Sequence, residues 1–181
     1  MKSNKKTRKL VFAAMFAALA CAATMIIRIP SPMGGYVNLG DCIVLLSGWI
    51  LGPVYGSVAS GIGVMAADIF AGFIAYAPAS LIIKAAMAFS CCVVFRKLNT
   101  MTGRRVLSLI VSGLVGEVIM ILGYFAYASI ILGNGLAAAA AIPADMIQGG
   151  VGLVCGIAVY EMLMRNSKVK AIVESIWSEE E

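Results

Sequence analysis

The sequence predicts an all-α membrane protein with six transmembrane helices and both termini in the cytoplasm. Its 181 residues are 61% hydrophobic and only 13% charged, with a mean hydropathy of +0.97. Soluble domains usually contain about 45–50% apolar and about 25% charged residues, so this composition excludes an ordinary soluble fold. Because a spanning helix needs roughly 20 apolar residues, the chain has room for five or six spans.

Glycine, proline and charged residues divide the chain into six apolar segments. A basic N-terminus, Met1–Lys9, precedes the first segment, Leu10–Ile27. The second segment is short: Cys42–Leu51 would rise only about 15 Å as a helix, so we expect it to need the preceding Tyr36–Asp41 to cross. The tail after Arg165 is predicted to be either a short amphipathic helix at the membrane surface or a frayed cytoplasmic segment. The other four predicted spans are Val54–Tyr76, Pro78–Lys97, Val106–Leu132 and Ala137–Met164.

The lysines and arginines lie mostly on one side of this six-span arrangement. Five stand in the N-terminus, four in the loop Arg96–Arg105 and three after Met164, which together make 12 of the 14. The opposite loops, around Pro30–Asp41, Gly72–Pro78 and Gly133–Pro143, contain none. Because cytoplasmic loops carry the excess of basic residues, both termini are predicted to be cytoplasmic. The net charge of +5 then reflects membrane topology, and no nucleic-acid partner is expected.

Several kinds of chemistry are excluded by residues that the sequence lacks. It contains no histidine, which removes His-dependent triads, HExxH zinc sites and axial haem histidines. It has no P-loop, so the chain is not expected to hydrolyse ATP itself. The five cysteines lack CxxC spacing and are expected to be small packing residues. We therefore predict no catalytic residue, no metal site and no cofactor.

Ionisable residues remain inside the predicted spans, namely Asp68, Lys84, Glu117 and Asp145, with Asp41 at the mouth of the second span. A charge within a bilayer is costly, so it normally faces protein or water and marks a functional site. Counted at about 1.5 Å of rise per residue, three of the four lie in the outer half, on three different helices.

Two interpretations of these residues are possible. The first is a polar and aromatic pocket, open to the outside, between helices four, five and six and capped by the loops Pro30–Asp41 and Gly72–Pro78. The second is an ion pair between Asp68 and Lys84 that only joins two helices. The pocket accounts for more residues, with Asp41 and Asp68 as orienting groups and Asp68 acting on Lys84 rather than on a ligand. Its candidate contacts are Asn38, Tyr76, Lys84, Glu117, Tyr124, Asp145 and Gln148.

The first predicted helix carries a face of small residues. Ala14, Ala18 and Ala22 are spaced by four, so they fall on one side of the helix. Such faces let two helices approach closely in lipid. The pattern predicts close packing against another helix, either within this bundle or in a partner.

A set of short motifs occurs in a characteristic order. The run Tyr36-Val-Asn38-Leu-Gly40-Asp41 is followed by Leu51-Gly52-Pro53-x-x-Gly56, then by Asp68 with the Gly72–Tyr76 loop, and finally by Ile82-Ile83-Lys84. Over residues 8–165 this order resembles the substrate-binding S component of energy-coupling factor (ECF) vitamin transporters.

The resemblance implies a multi-pass protein of the prokaryotic plasma membrane that captures a water-soluble vitamin, or a vitamin precursor, from outside. A membrane-embedded coupling protein and two cytoplasmic ATPase subunits would supply the power for delivery inward. Ala14, Ala18 and Ala22 would dock on the coupling protein. The chain would then comprise a cytoplasmic basic N-terminus (1–9), a six-helix transmembrane substrate-binding domain (10–165) and a cytoplasmic tail (166–181).

The identity of the vitamin stays open between four candidates. Riboflavin-type members of the family carry an acidic or amide residue followed three positions later by lysine at the start of helix six, whereas this chain has Asp145-Met-Ile-Gln148. The neutral Gln148 suits an uncharged ring such as pyridoxine or hydroxymethylpyrimidine. Lys84, if Asp68 does not neutralise it, would instead meet the carboxylate of pantothenate.

Two functions of other classes are also compatible with the sequence. One is a small proton-coupled secondary carrier that uses Glu117 as its proton site, and it would catalyse uptake into vesicles that contain this protein alone. The other is a membrane scaffold without a ligand, whose thermal stability would not respond to any vitamin.

Overall fold

A computed structural model describes residues 2–30 and 36–177 of the chain. The middle of the predicted Pro30–Asp41 loop (31–35), residue 1 and the last four residues of the predicted tail lie outside the described residues. The elements in chain order are α1 (Lys2–Ile26), β1 (Ile29–Pro30), β2 (Tyr36–Val37), α2 (Gly40–Leu51), α3 (Pro53–Phe70), α4 (Ala77–Thr102), α5 (Arg105–Ala126), a π-helical turn (Tyr127–Ile131), a 3-10 helix (Gly135–Ala141), α6 (Ile142–Arg165) and α7 (Ser167–Trp177).

The prediction of an all-α membrane protein is confirmed. Within the described residues, five helical segments are long and apolar enough to cross a membrane. They are Lys6–Ile26, Pro53–Phe70, Ala77–Thr102, Arg105–Ile131 and Gly135–Arg165. Five long helices and one short one therefore occupy the six predicted positions, and the number that cross the bilayer remains a prediction.

The second predicted span differs from the structure at its start. Tyr36 and Val37, which we expected to lengthen this helix, instead form β2 and pair with Pro30 and Ile29 in a short antiparallel ladder. The helix begins only at Gly40, and its 12 residues rise roughly 18 Å, less than the ~30 Å of a hydrocarbon core. Tyr36 and Val37 therefore belong to a β-ladder that precedes α2 and are not part of that helix.

Helix α3 packs closely between α1 and α4, because its glycines allow close approach. A Cβ at Gly63 would lie 2.9 Å from the Cβ of Ala20 in α1, and a Cβ at Gly61 would lie 2.6 Å from the carbonyl oxygen of Leu81 in α4. Any larger residue would push these helices apart. The predicted third span reached Tyr76, but α3 ends at Phe70 and the chain then turns before α4.

Part of the core that joins the helices is aromatic. Trp49 is fully buried, and its ring packs edge-on against Tyr160, which also contacts Phe95, at centroid separations of 5.8 and 5.9 Å. The indole N–H of Trp49 donates to Ser112 Oγ at 3.0 Å, which satisfies its one polar group. These contacts join α2, α4, α5 and α6 into one core.

The tail is helical, so the structure shows the helix rather than the frayed segment. Val173 and Ile176 of α7 are buried in the core cluster, and α7 packs on α2 and α6. Arg8 of α1 donates a hydrogen bond to Ser175. The first and last helices therefore meet at the same end of the molecule.

Candidate functional site

One end of the bundle contains a cavity of about 70 Å³. Its wall is formed by the β2 segment, the ends of α3 and α5, the beginnings of α4 and α6, and the loop between α3 and α4. The lining residues are Tyr36, Asn38, Val64, Asp68, Phe73, Tyr76, Ser80, Tyr124, Phe125, Ala128, Ala138, Ala141, Asp145 and Gln148. The end of α4, the start of α5 and the end of α6, which carry basic residues, lie at the opposite end of the bundle.

The structure brings five of the seven candidate contacts together on this wall. They are Asn38, Tyr76, Tyr124, Asp145 and Gln148. The other two, Lys84 and Glu117, are buried and are not among the described lining residues. Both expected caps contribute, through Tyr36 and Asn38 on one side and Phe73 and Tyr76 on the other.

A buried polar network extends from the cavity wall into the protein interior. Lys84 forms an ion pair with Asp41 Oδ1, and the two residues are 1% and 0% exposed. The side-chain amide of Gln148 donates to Asp41 Oδ2 at 2.6 Å. The oxygen of the same amide accepts from the backbone N–H of Asn38 at 2.9 Å and from its side chain at 3.1 Å. This network joins α2, α4, α6 and the residues after β2.

The partner of Lys84 differs from the expectation. We predicted that Asp68 orients Lys84, but the ion pair is made with Asp41, which reaches the same ammonium from α2. A buried charge without its partner is strongly destabilising, so the pair has to be complete for the bundle to pack. Asp41 therefore pairs with Lys84 in this geometry, and Asp68 makes a different contact, with Tyr36; the orienting roles of both acids remain predictions.

Asp68 faces the cavity instead. Its Oδ1 accepts a hydrogen bond from the hydroxyl of Tyr36 at 2.8 Å, and the ring of Tyr36 packs against Phe73 at a centroid distance of 4.8 Å. Burial, followed by the carboxyl group of Asp68, raises the pKa of the Tyr36 hydroxyl above its ordinary value. Tyr36 thus stays protonated and serves as a hydrogen-bond donor to Asp68.

Two tyrosines of the wall, Tyr124 and Tyr76, are held by contacts with neighbouring side chains. The hydroxyl groups of Tyr124 and Ser80 are hydrogen-bonded at 2.7 Å, and the ring of Tyr124 lies 5.4 Å from Lys84 Nζ. Tyr76 packs against Tyr127 at 6.0 Å between ring centroids. Burial, and then the nearby carboxyl of Asp145, raise the pKa of Tyr76. Rings held in this way offer flat surfaces to a planar ligand.

Glu117 lies in the protein interior beside α6. It is 5% exposed, and neither of its carboxyl oxygens has a hydrogen-bond partner among the described residues. The carboxyl group lies against Gly149, where a Cβ would come within 2.7 Å of Glu117 Oε2. Glu117 interacts electrostatically with Lys84. Its position supports a role in the network behind the wall.

Four polar or aromatic lining residues were missed by the sequence analysis. They are Tyr36, Phe73, Ser80 and Phe125. Tyr36 and Phe73 stand within the two predicted caps, so the aromatic residues of those loops were the available signal. Ser80 and Phe125 gave no such signal, because a serine or phenylalanine in an apolar helix usually only packs.

The small-residue face of α1 points away from the bundle. Ala14, Ala18 and Ala22 are exposed, whereas Ala13 and Ala20 face the core. The three alanines are therefore not used for packing within the described part of the chain.

The cavity combines aromatic surface with a few directed polar groups, a composition typical of sites that bind small molecules. Within residues 2–30 and 36–177, no group of three acidic or cysteine side chains is placed to hold a metal ion. The arrangement can stack a ring and hydrogen-bond its edge.

The sequence matches a family model and is similar to a protein of known sequence. A family model described as the S component of ECF-type riboflavin transporters matches residues 4–165. A protein of Pyrococcus woesei, described as an uncharacterized protein in the gap 3′ region, is 35% identical over 136 residues, which are 74% of this chain and 86% of that protein.

Two solved structures share the fold. The S component of a bacterial ECF transporter superposes with a TM-score of 0.64 at 21% identity, covering 88% of this chain and 97% of its own. The S component for biotin from an ECF-type ABC transporter gives a TM-score of 0.62 at 20% identity, covering 89% and 95%.

Proposed function

Because this chain belongs to the family of S components of ECF-type riboflavin transporters, we propose that it captures a planar, riboflavin-type vitamin in the cavity between β2 and helices α3–α6. Members of this family are vitamin-binding subunits of transporters and not enzymes. The chain is accordingly an ECF S component for a vitamin, and the choice of vitamin is the part that we propose.

The cavity wall is the observation that carries this proposal. Aromatic and polar side chains line the same cavity: Tyr36, Tyr76, Tyr124, Phe73 and Phe125 supply the rings, and Asn38, Asp68, Asp145 and Gln148 supply polar groups. A conjugated ring gains from stacking between such side chains, because aromatic pairs are worth about 0.5–1.5 kcal/mol beyond the area that they bury. Riboflavin, pyridoxine and hydroxymethylpyrimidine all present a planar heterocycle.

Pantothenate fits the cavity less well than the ring compounds. Its carboxylate needs a cation, and the candidate cation was Lys84. That ammonium is fully buried and paired with Asp41, so it is not available to a ligand. Among the four candidates, the flat and uncharged rings are therefore favoured.

The cavity is proposed to open toward the outside of a prokaryotic cell. It lies at the end of the bundle opposite the basic segments, and basic segments normally stay in the cytoplasm. This orientation exposes the cavity to an extracellular vitamin and leaves the N-terminus and α7 inside.

Delivery inward requires partners, since the sequence contains no nucleotide-binding loop. We propose that the exposed alanines of α1, Ala14, Ala18 and Ala22, dock on the membrane-embedded coupling protein, which two cytoplasmic ATPase subunits drive. Their exposure supports this role, because small side chains facing lipid allow a partner helix to approach closely.

Direct binding to the purified protein tests the vitamin. Isothermal titration with riboflavin, pyridoxine, hydroxymethylpyrimidine and pantothenate is expected to give tight binding of one planar ring compound. Native mass spectrometry of the protein as purified should show the same vitamin bound. Unaltered thermal stability with all four compounds would argue against the proposal and favour a scaffold without a ligand.

The docking face is tested with the pair Ala14→Trp and Ala18→Trp. The large rings should prevent assembly with the coupling protein and abolish uptake, while vitamin binding stays close to wild type. Ala126→Trp, at an exposed alanine of α5, is the control and should leave assembly intact. Normal assembly of the double variant would place the docking face elsewhere.

The alternative function, a proton-coupled carrier, is distinguished by its ability to transport without partner subunits. Such a carrier would accumulate the vitamin in vesicles that contain only this protein, and Glu117→Gln would abolish that uptake. An S component is expected to bind the vitamin in these vesicles without accumulating it.

A further inference from the structure

The charged groups on the cavity wall are all acidic. Asp68 and Asp145 line the cavity, and no lysine or arginine is present among its described lining residues. Lys84 is buried behind the wall in its pair with Asp41. Arg28 acts electrostatically on Tyr36, but it is exposed to solvent and is not part of the wall. The cavity therefore presents acceptors to a ligand and no cation.

Asp68 has unused hydrogen-bonding capacity. It is only 4% exposed, and its Oδ1 accepts a hydrogen bond from Tyr36. Ser80 and the ammonium group of Lys84 also act on this carboxyl group, but its Oδ2 has no hydrogen-bond partner among the described residues. Buried polar atoms in native proteins nearly always have a partner. A carboxylate oxygen in this position is matched by an N–H or O–H donor that enters the cavity.

Gln148 offers less to a ligand, although the sequence made it a leading contact. Its oxygen accepts both hydrogen bonds from Asn38, and its amide nitrogen donates to Asp41. Turning this amide toward a ligand would break the buried network. Asp68 is bonded to Tyr36 through one oxygen only, and its other oxygen has no hydrogen-bond partner among the described residues, so it is the better placed residue to bind the polar edge of a ligand.

We propose that Asp68, held by Tyr36, is the specificity-determining residue of the cavity: it accepts a hydrogen bond from a neutral or cationic heterocycle and excludes vitamins that carry a carboxylate or phosphate. The inference rests on the proposed function and goes beyond it by naming the charge class of the vitamin and the residue that selects it. Selection arises because an anion would face Asp68 and Asp145 without any counter-charge on the wall.

Matched pairs of ligands test this selection. Riboflavin is compared with riboflavin 5′-phosphate, and pyridoxine with pyridoxine 5′-phosphate, while biotin and pantothenate serve as carboxylates. The wild-type protein should bind the neutral member of one pair at least about 30-fold more tightly than its phosphate ester.

Asp68→Asn separates charge from shape. The amide oxygen can still accept from Tyr36, but the group that faces the ligand becomes an N–H donor. Affinity for the neutral vitamin should fall about 10- to 100-fold. The ratio of this affinity to the affinity for the phosphate ester should decrease. Asp68→Glu keeps the charge, so the ratio of the two affinities should stay at the wild-type value even if the affinity for the neutral vitamin falls. Glu161→Gln, a carboxyl-to-amide change on the distant, exposed end of α6, should change neither value.

The outcomes separate this inference from the function on which it rests. Tight binding of biotin or pantothenate would overturn the inference and leave a vitamin-binding S component. The inference would also be overturned if folded Asp68→Asn bound the neutral vitamin with wild-type affinity and with the wild-type preference over its phosphate ester. Binding of none of these six compounds, and none of hydroxymethylpyrimidine, would refute the proposed function and this inference together.

Discussion

Asp41 and Asp68 are two buried carboxyl groups on neighbouring helices, and their surroundings differ. Both oxygens of Asp41 are occupied, one by Lys84 and the other by the amide of Gln148. Only one oxygen of Asp68 is occupied, by Tyr36, and the residue faces the cavity. A buried carboxyl satisfied by its own protein holds helices together, whereas one with an unused oxygen at a cavity wall is directed at a ligand.

The same contrast separates two regions of the molecule. The network of Asn38, Asp41, Lys84 and Gln148 connects four segments of the chain: Asn38 and Gln148 line the cavity, and Asp41 and Lys84 lie behind them. The cavity wall carries aromatic rings and Asp68, one of whose carboxyl oxygens has no hydrogen-bond partner among the described residues. The sequence was compatible with either a pocket or an ion pair. The structure contains both, side by side: the ion pair is made by Asp41, and Asp68 lines the cavity.

The largest effect is expected from breaking the network at Lys84. Lys84→Met leaves Asp41 buried without its cation, which should lower the free energy of unfolding by about 3–5 kcal/mol. Unfolding in mixed micelles of increasing dodecyl sulfate content, followed by circular dichroism, measures this loss. A loss below about 1 kcal/mol, the range of exposed pairs, would show that the pair contributes no more than a surface contact.

The second prediction concerns Gln148, which belongs to both regions. Gln148→Leu removes the hydrogen bonds to Asp41 and Asn38, so the free energy of unfolding should fall by about 1–3 kcal/mol. Vitamin affinity should fall by a smaller factor, about two- to tenfold, because Asn38 loses its support at the cavity wall. Titration calorimetry measures affinity, and the micelle assay should show a loss of stability in the same variant. Lower stability with wild-type affinity would assign Gln148 to the network alone.

A smaller effect is expected at Tyr124, which belongs to the wall. Tyr124→Phe keeps the ring but loses the hydrogen bond to Ser80, worth about 0.5–1.5 kcal/mol. Vitamin affinity should fall about two- to twelvefold as the ring loses its orientation. Ser80→Ala removes the same bond from the other side and should reproduce the loss. If only Tyr124→Phe weakened binding, the hydroxyl would contact the vitamin directly.

The smallest effect is expected at the pair of Arg105 with Glu161, which is bidentate but partly exposed, with exposed fractions of 45% and 26%. Arg105→Met should lower stability by about 0–1 kcal/mol, because solvent screens exposed pairs. Vitamin affinity should stay at the wild-type value. A loss comparable with that of Lys84→Met would remove the distinction between the buried and the exposed pair.

The sequence by itself determined the class of fold. A chain this apolar cannot leave its backbone polar groups unpaired in lipid, so its long apolar segments have to be helices. The positions of most helices followed from breakers: Pro143 lies in the first turn of α6, and Gly103 ends α4 in a left-handed conformation with φ of 65°. Five of the seven candidate contacts also reached one cavity, because the helix ends that carry them share one end of the bundle.

Only the tertiary structure decided which acid meets Lys84 and which faces the cavity. Along the predicted helices, Asp68 and Asp41 both lie near enough to reach Lys84. Their predicted depth in the membrane does not show which of them pairs with it. The choice depends on how α2 packs against α4, and on a hairpin that replaces the expected start of the second span. Periodicity and charge counts describe each helix alone, whereas partner choice is a property of helix packing.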